Sequence, residues 1–262
     1  MADAHDDPRP RNPTVRPGRP RADQLLVDRG LAESRTRAQA LILAGKVYSG
    51  ERRIEKPGQA MPDGVPLEVR GQDHPWVSRG GVKLEHALRH FALQPRDLRC
   101  LDIGASTGGF TDVLLHHGAA QVAAVDVGHG QLAWRLRNDP RVTVLERVNA
   151  RYLEAAQLPF SPVEALVCDA SFIALQTILP QPLSLCARGA WAVALIKPQF
   201  EVGKSIAKGG VVRDPAVHAA VCDRIGAWWS GLEGWTVLGI EPSPLLGPEG
   251  NREFLIAARR QG

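Results

Sequence analysis

Two hydropathy patterns divide this chain. From about residue 99 onward, short apolar runs alternate with stretches whose apolar residues recur at helical spacing. Strands are predicted at 99–103, 122–126, 142–145, 165–168, 190–196, 235–241 and 252–259. Helices are predicted near 81–92, 109–117, 129–137, 174–187 and 215–231. Such alternation predicts an α/β domain with a doubly wound, mostly parallel sheet, whose ligands sit beyond the carboxyl ends of its strands. Residues 19–70 read differently. A short helix over 21–29 turns Leu25 and Leu26 inward, and Ser34 caps a second helix through Ala44 with Ala38, Leu41 and Ile42 as its apolar face. Gly45 stops that helix, and short strands follow around Val47 and Leu67 in turn-rich sequence. The division is therefore a tail over 1–18, a small α+β module over 19–70, a linker over 71–77 anchored by Trp76-Val77, and a large domain over 78–262.

Composition narrows the class. An apolar fraction of 44% in 262 residues suits a globular chain with one large core and one small one. The tail mixes Asp, Arg and Pro without an apolar centre, so it reads as disordered rather than as a signal peptide. The longest apolar runs, such as Trp191 to Ile196, fall far short of the ~18 residues needed to cross a bilayer. Cys100, Cys168, Cys186 and Cys222 are widely spaced and lack Cys-x-x-Cys spacing, which predicts reduced thiols in a cytoplasmic protein, with no zinc site among them. Charge is uneven. Residues 19–70 hold ten Lys/Arg against seven Asp/Glu, +3 of the total +4. Arg21, Arg35, Arg37 and Lys46 gather around the second helix, which is either an ordinary solvated face or a surface for phosphates.

The chemistry lies at the predicted strand ends. Leu101-Asp102-Ile103 runs into Gly104-Ala105-Ser106-Thr107-Gly108-Gly109-Phe110, a glycine loop that opens a helix and lets backbone approach a ligand. Asp126 ends the next strand, 22 residues after Gly104, where a carboxylate can accept from ribose hydroxyls. That pair suits a nicotinamide dinucleotide or S-adenosylmethionine. The spacing Gly104-x-x-x-Gly108-Gly109 after Asp102 is not G-x-G-x-x-G and favours the second. Asp169 and Lys197 close two later apolar strands. A lysine there is costly unless paired or working, so the two form either a structural ion pair or part of a reactive cleft. Lys83 stands at a helix start, where the dipole disfavours it. The loop Gly247-Pro248-Glu249-Gly250 can carry Glu249 toward the same edge.

Residues 21–50, with Ser34-Arg35-Thr36-Arg37-Ala38 and Gly45-Lys46-Val47, resemble an S4 RNA-binding domain. Lys83, Asp169, Lys197 and Glu249 resemble the Lys-Asp-Lys-Glu set of FtsJ/RrmJ-like ribose 2′-O-methyltransferases. With Ser78-Arg79-Gly80-Gly81, Lys197-Pro198-Gln199-Phe200-Glu201 and Lys208-Gly209-Gly210, the arrangement over 20–260 resembles the TlyA family, whose members are also called haemolysins. Well-known members begin the linker with Arg, where this chain has His74-Pro75. The resemblance implies methylation of a cytidine ribose in ribosomal RNA, with S-adenosylmethionine as cofactor and ribosomal RNA or subunits as partner. It implies no metal, membrane or protein partner. Gly104, Ala105, Ser106, Gly108, Gly109 and Phe110 would enclose the methionine end, Asp126 the ribose and Asn149 the adenine edge. Lys197 would take the hydroxyl proton or hold the oxyanion, Asp169 would orient it, Lys83 and Glu249 would fix the ribose, and Arg21, Arg35, Arg37 and Lys46 would bind RNA. A non-catalytic RNA-binding factor and a membrane-lytic protein are the rival readings. The intact charged set speaks against the first, and the lack of a spanning or strongly apolar amphipathic segment against the second.

Overall fold

The computed structural model describes residues 19–32, 34–62, 64–70, 74–203, 207–247 and 250–262; the tail predicted over 1–18 lies outside the described residues. The small module holds α1 (Ala22–Asp28), α2 (Arg35–Leu43), β1 (Val47–Ser49), β2 (Arg52–Arg53) and β3 (Glu68–Val69), with an antiparallel sheet in the order β2-β1-β3. Ser34 caps α2 as predicted, its hydroxyl accepting from the Arg37 amide at 3.2 Å. Gly45 ends the helix turn at φ +69°, a left-handed conformation that glycine adopts without penalty. Leu25, Leu26, Ala38, Leu41 and Ile42 are buried together with Val47, Ile54 and Met61. β2 carried no apolar signal, because both its arginines are exposed; pairing with β1 alone makes it a strand.

The large domain runs α3 (Gly80–His90), β4 (Arg99–Ile103), α4 (Gly109–His116), β5 (Gln121–Asp126), α5 (Trp134–Arg137), β6 (Val142–Glu146) and β7 (Val163–Cys168). It continues through α6 (Leu175–Ile178), α7 (Pro180–Ser184), β8 (Cys186–Ile196), α8 (Pro198–Glu201), α9 (Pro215–Ser230), β9 (Trp235–Pro242) and β10 (Phe254–Arg260). Its seven strands lie in the order β6-β5-β4-β7-β8-β10-β9, parallel except for β10, which runs antiparallel to both neighbours. Side chains alternate between two buried layers. Leu101, Ile103, Leu166, Cys168, Ala192 and Ala194 pack with α6, α7 and α9, whereas Cys100, Val122, Val167, Val193 and Leu195 pack with α3 and α4.

Two predicted helices are shorter than their patterns. The stretch 174–187 breaks at Pro180, which lacks the N–H to continue a helix and instead opens α7, and the strand that follows begins at Cys186 rather than near 190. The stretch 129–137 is helical only over Trp134–Arg137; Gly130 at φ +68° holds its beginning in a turn. Trp76 is buried on α3, where a Cβ on Gly81 would lie 2.4 Å from its ring, and it meets His116 of α4 edge-on at 5.1 Å. It therefore anchors the linker to the large domain. The small module docks at the start of α5, since a Cβ on Gly30 would stand 2.6 Å from that of Ala133.

Candidate active site

The glycine loop leaves β4 and enters α4 through a chain of close approaches. Gly104, at φ +77°, passes within 3.0 Å (measured to an added Cβ) of the backbone of Asp169 and Ala170. Gly108 turns at φ +96° against Leu136, and a Cβ on Gly109 would strike the Ser78 hydroxyl at 2.3 Å. The loop is held from beneath: Gly104 and Ala105 both donate to Val125 O, and Ser106 N donates to Asp126 Oδ2 at 2.9 Å. Behind it, Asp102 is fully buried, accepts from the Thr111 hydroxyl at 2.7 Å, and has its carboxyl pushed up to about 7 by burial.

Above the loop opens a cavity of about 730 Å³, within the range of small-molecule sites. Two lysines converge on it. Lys197, at the end of β8, is buried with its Nζ 2.7 Å from Asp169 Oδ1, 2.8 Å from the Ser171 hydroxyl and 3.3 Å from Asp169 O. Two hydrogen bonds and one ion pair around the ammonium fix its direction. Lys83, on the first turns of α3, reaches Glu253 Oε2 at 2.5 Å. Glu253 is 1% exposed, and its other oxygen has no hydrogen-bond partner among the described residues. A Cβ on Gly247 would fall 2.2 Å from that oxygen, so a side chain there would displace the Glu253 carboxylate. Asn251 ties the walls together, donating to Gly210 O at 3.0 Å and accepting from Val212 N at 3.2 Å. At the rim, Phe172 is 89% exposed at φ +66° and lies 5.0 Å from the ring of Phe200. That backbone is uncommon for a bulky side chain.

Lys83, Asp169 and Lys197 thus share one cavity with Gly104, Ala105, Ser106, Gly109 and Phe110. Gly108 shapes the helix entry from behind the wall. Glu249 lies outside the described residues; the carboxylate brought to Lys83 is that of Glu253, four positions on. Its sequence signal was an acid inside the apolar strand predicted over 252–259, where a buried charge demands a partner. Ser171, Phe172, Gln199 and Asn251 were not singled out as site residues, because isolated polar and aromatic residues carry no periodic signal. Asp126 faces a separate shallow hollow with Gln131 and Glu146, accepting from Ser106 N and, at 2.7 Å, from Gly128 N. Asn149 is exposed, does not line the cavity, and caps its own turn by accepting from Arg151 N at 3.1 Å. In the small module, Arg21 and Arg35 converge on buried Asp23 at 3.0 and 3.1 Å, and Gln39 joins them. The Arg21 guanidinium holds the Asp23 carboxyl well below the usual range. Arg37 and Lys46 instead line a cavity of about 390 Å³ between the two domains, beside His74 and Arg79.

A family model described as FtsJ-like methyltransferase matches residues 76–260, and one described as S4 domain matches residues 20–61. The 16S/23S rRNA (cytidine-2′-O)-methyltransferase TlyA of Mycobacterium tuberculosis is 49% identical over 245 residues, 93% of this chain and 91% of its own. The 23S rRNA (cytidine-2′-O)-methyltransferase TlyA of Campylobacter jejuni is 34% identical over 74% of each chain. A solved structure from Streptococcus thermophilus that bears the name hemolysin superposes with a TM-score of 0.75 at 41% identity, covering 93% of this chain and 89% of the other.

Proposed function

This chain belongs to the TlyA family, an FtsJ-like methyltransferase domain behind an S4 domain, and from that premise we propose that it methylates the 2′-hydroxyl of a cytidine ribose in ribosomal RNA. The observation that carries this reading is the convergence of two buried lysine–carboxylate pairs on the cavity above the glycine loop. S-adenosylmethionine fits there: the loop's glycines give it a backbone cradle, the Asp169 carboxylate suits a cationic centre, and Gln199 presents a buried oxygen with no hydrogen-bond partner among the described residues. Asp126 would take the cofactor ribose, since each of its oxygens accepts one amide and keeps capacity for a hydroxyl. Bound there, the cofactor supplies an electrophilic methyl on a sulfonium.

The ribose hydroxyl is a weak nucleophile, so its charge must be held as its proton leaves. Lys197, aimed by Asp169 and Ser171, donates to the developing oxyanion. The open oxygen of Glu253 receives the hydroxyl's hydrogen bond and its proton, with Lys83 clamping the other oxygen. Phe172 and Phe200 offer the cytosine ring a stacking face at the rim, which requires the nucleotide to leave its helix. The small module, with Arg37 and Lys46 toward the interdomain cavity, binds the RNA backbone. No helix among the described residues is long and apolar enough to cross a membrane. We place the protein with its substrate in the cytoplasm.

Labelled S-adenosylmethionine and separated ribosomal subunits test the reading, with the methylated ribose mapped. Lys197→Ala should lower transfer by at least about 100-fold while cofactor affinity holds within a few-fold. Glu253→Gln should be crippled in the same way, and Glu249→Gln should not. Near-normal methylation by folded Lys197→Ala would overturn the mechanism.

A further inference from the structure

Away from the cavity, His86 and His90 stand one turn apart on α3 and turn toward Glu241 of β9. The Nε2 atom of His86 lies 3.3 Å from Glu241 Oε1, and that of His90 lies 3.7 Å from Oε2. One ligand atom from each of the three residues fits within a common 4.8 Å. We propose that these residues form a binding site for one divalent transition ion of the zinc class, with water completing the shell.

The geometry fits such an ion better than it fits hydrogen bonds alone. Bonds of about 2.0–2.2 Å in a tetrahedral shell set ligand atoms about 3.3–3.5 Å apart. The two nitrogen–oxygen separations already bracket that spacing, while both exceed a good charge-assisted hydrogen bond of about 2.7–2.9 Å. Each imidazole meets a different oxygen of one carboxylate, and one ligand atom from each residue lies within 4.8 Å of the other two. The backbone beneath is fixed. Phe91, just past α3, packs over Gly239, where even an added Cβ would come within 3.3 Å of its ring, and this pins the helix end to the strand that carries Glu241. The site also sits at the carboxyl end of α3, where the helix dipole favours a cation. His86, His90 and Glu241 side chains are 23%, 43% and 29% exposed, so an ion can enter without unfolding.

Two imidazoles and one carboxylate select zinc, cobalt or nickel over magnesium and calcium, which prefer oxygen-only shells. A bound ion would join the end of α3 to the sheet edge, steadying the helix whose first turns carry Lys83. The site is independent of the methyl-transfer reading, since it needs neither cofactor nor RNA.

Metal-free, tag-free full-length protein titrated with Zn²⁺ against a chromophoric chelator should bind one equivalent, with saturation by about 100 µM free ion and a rise in Tm. Co²⁺ should give visible absorption bands of a low-coordinate nitrogen–oxygen site, quenched by Zn²⁺ and untouched by Mg²⁺. The double variant His86→Ala/His90→Ala should lose that equivalent, and Glu241→Gln should weaken it at least tenfold. His116→Ala/His117→Ala should keep it. Absence of binding at saturating Zn²⁺ would overturn the proposal, as would binding and a Co²⁺ spectrum that survive in a folded His86→Ala/His90→Ala protein.

Discussion

At the scale of single residues, the site is built from side chains whose positions cost stability unless something holds them. Phe172 is the clearest case. A large ring left 89% exposed on a left-handed backbone contributes little to folding, so its reason lies at the cavity rim. Phe172→Ala should raise KM for RNA at least several-fold, with cofactor affinity and Tm nearly unchanged; steady-state kinetics and calorimetry separate the two. Asp102 shows the opposite economy of placement, buried beneath the loop with one oxygen lacking a hydrogen-bond partner among the described residues. Its carboxyl sits at about 7 in the fold, against about 3.9 in the unfolded chain. Between those values the native state holds more protons. Its contribution to stability is therefore full below pH ~4 and is lost as pH rises through ~7. Relative to the wild type, Asp102→Asn should thus gain stability between about pH 5 and about pH 8, measured by urea unfolding at both. An equal difference at the two pH values would show that Asp102 stays ionised.

At the scale of elements, what the sequence revealed followed from how locally each signal was encoded. The loop after β4 was legible as a loop because its glycines stand between an apolar strand and a helix, where close approaches to Asp169, Leu136 and Ser78 leave no room for side chains. Lys197 and Asp169 were legible because a charge closing an apolar strand stands out against the pattern. Glu253 drew no attention beside Glu249 for a physical reason. Its partner Lys83 lies 170 positions away, and only the antiparallel insertion of β10 between β8 and β9 brings the two together. The helix over 174–187 failed at Pro180, where backbone chemistry overrides apolar spacing. Element packing makes its own prediction at Gly109, the first residue of α4. An added Cβ there would lie 2.3 Å from the Ser78 hydroxyl and 2.8 Å from Gly81 N, so the starts of α3 and α4 must separate. Gly109→Ala should cost about 1–3 kcal/mol and weaken cofactor binding, and adding Ser78→Ala should recover part of both. Isothermal titration and chemical unfolding would read this pair.

At the scale of the whole molecule, the question is how the small basic module relates to a cavity to which it contributes Ser34. The two bodies have separate cores: Leu26, Ile42 and Ile54 in one, the two sheet layers in the other. Neither core needs the other to close. The module nonetheless places Ser34 at the cavity above the glycine loop and rests Gly30 on Ala133, at the start of α5. Its four candidate RNA-binding residues are unequal. Arg21 and Arg35 are spent on Asp23, whereas Arg37 faces the interdomain cavity with Lys46. On the proposed reading, docking decides where bound RNA is presented, while all but Ser34 of the cavity lining belongs to the large domain. Gly30 tests this directly, because its φ of +66° disfavours any side chain and an added Cβ would lie 2.8 Å from Ala133 Cα. Gly30→Val should unseat the module and lower kcat/KM for RNA methylation at least tenfold, with cofactor affinity unchanged within a few-fold. Removing residues 1–70 should abolish methylation and still leave cofactor binding measurable by calorimetry. If cofactor binding fell in step with methylation in both proteins, the two bodies would be one cooperative unit, and the docking of Gly30 on Ala133 would be part of the cofactor site itself.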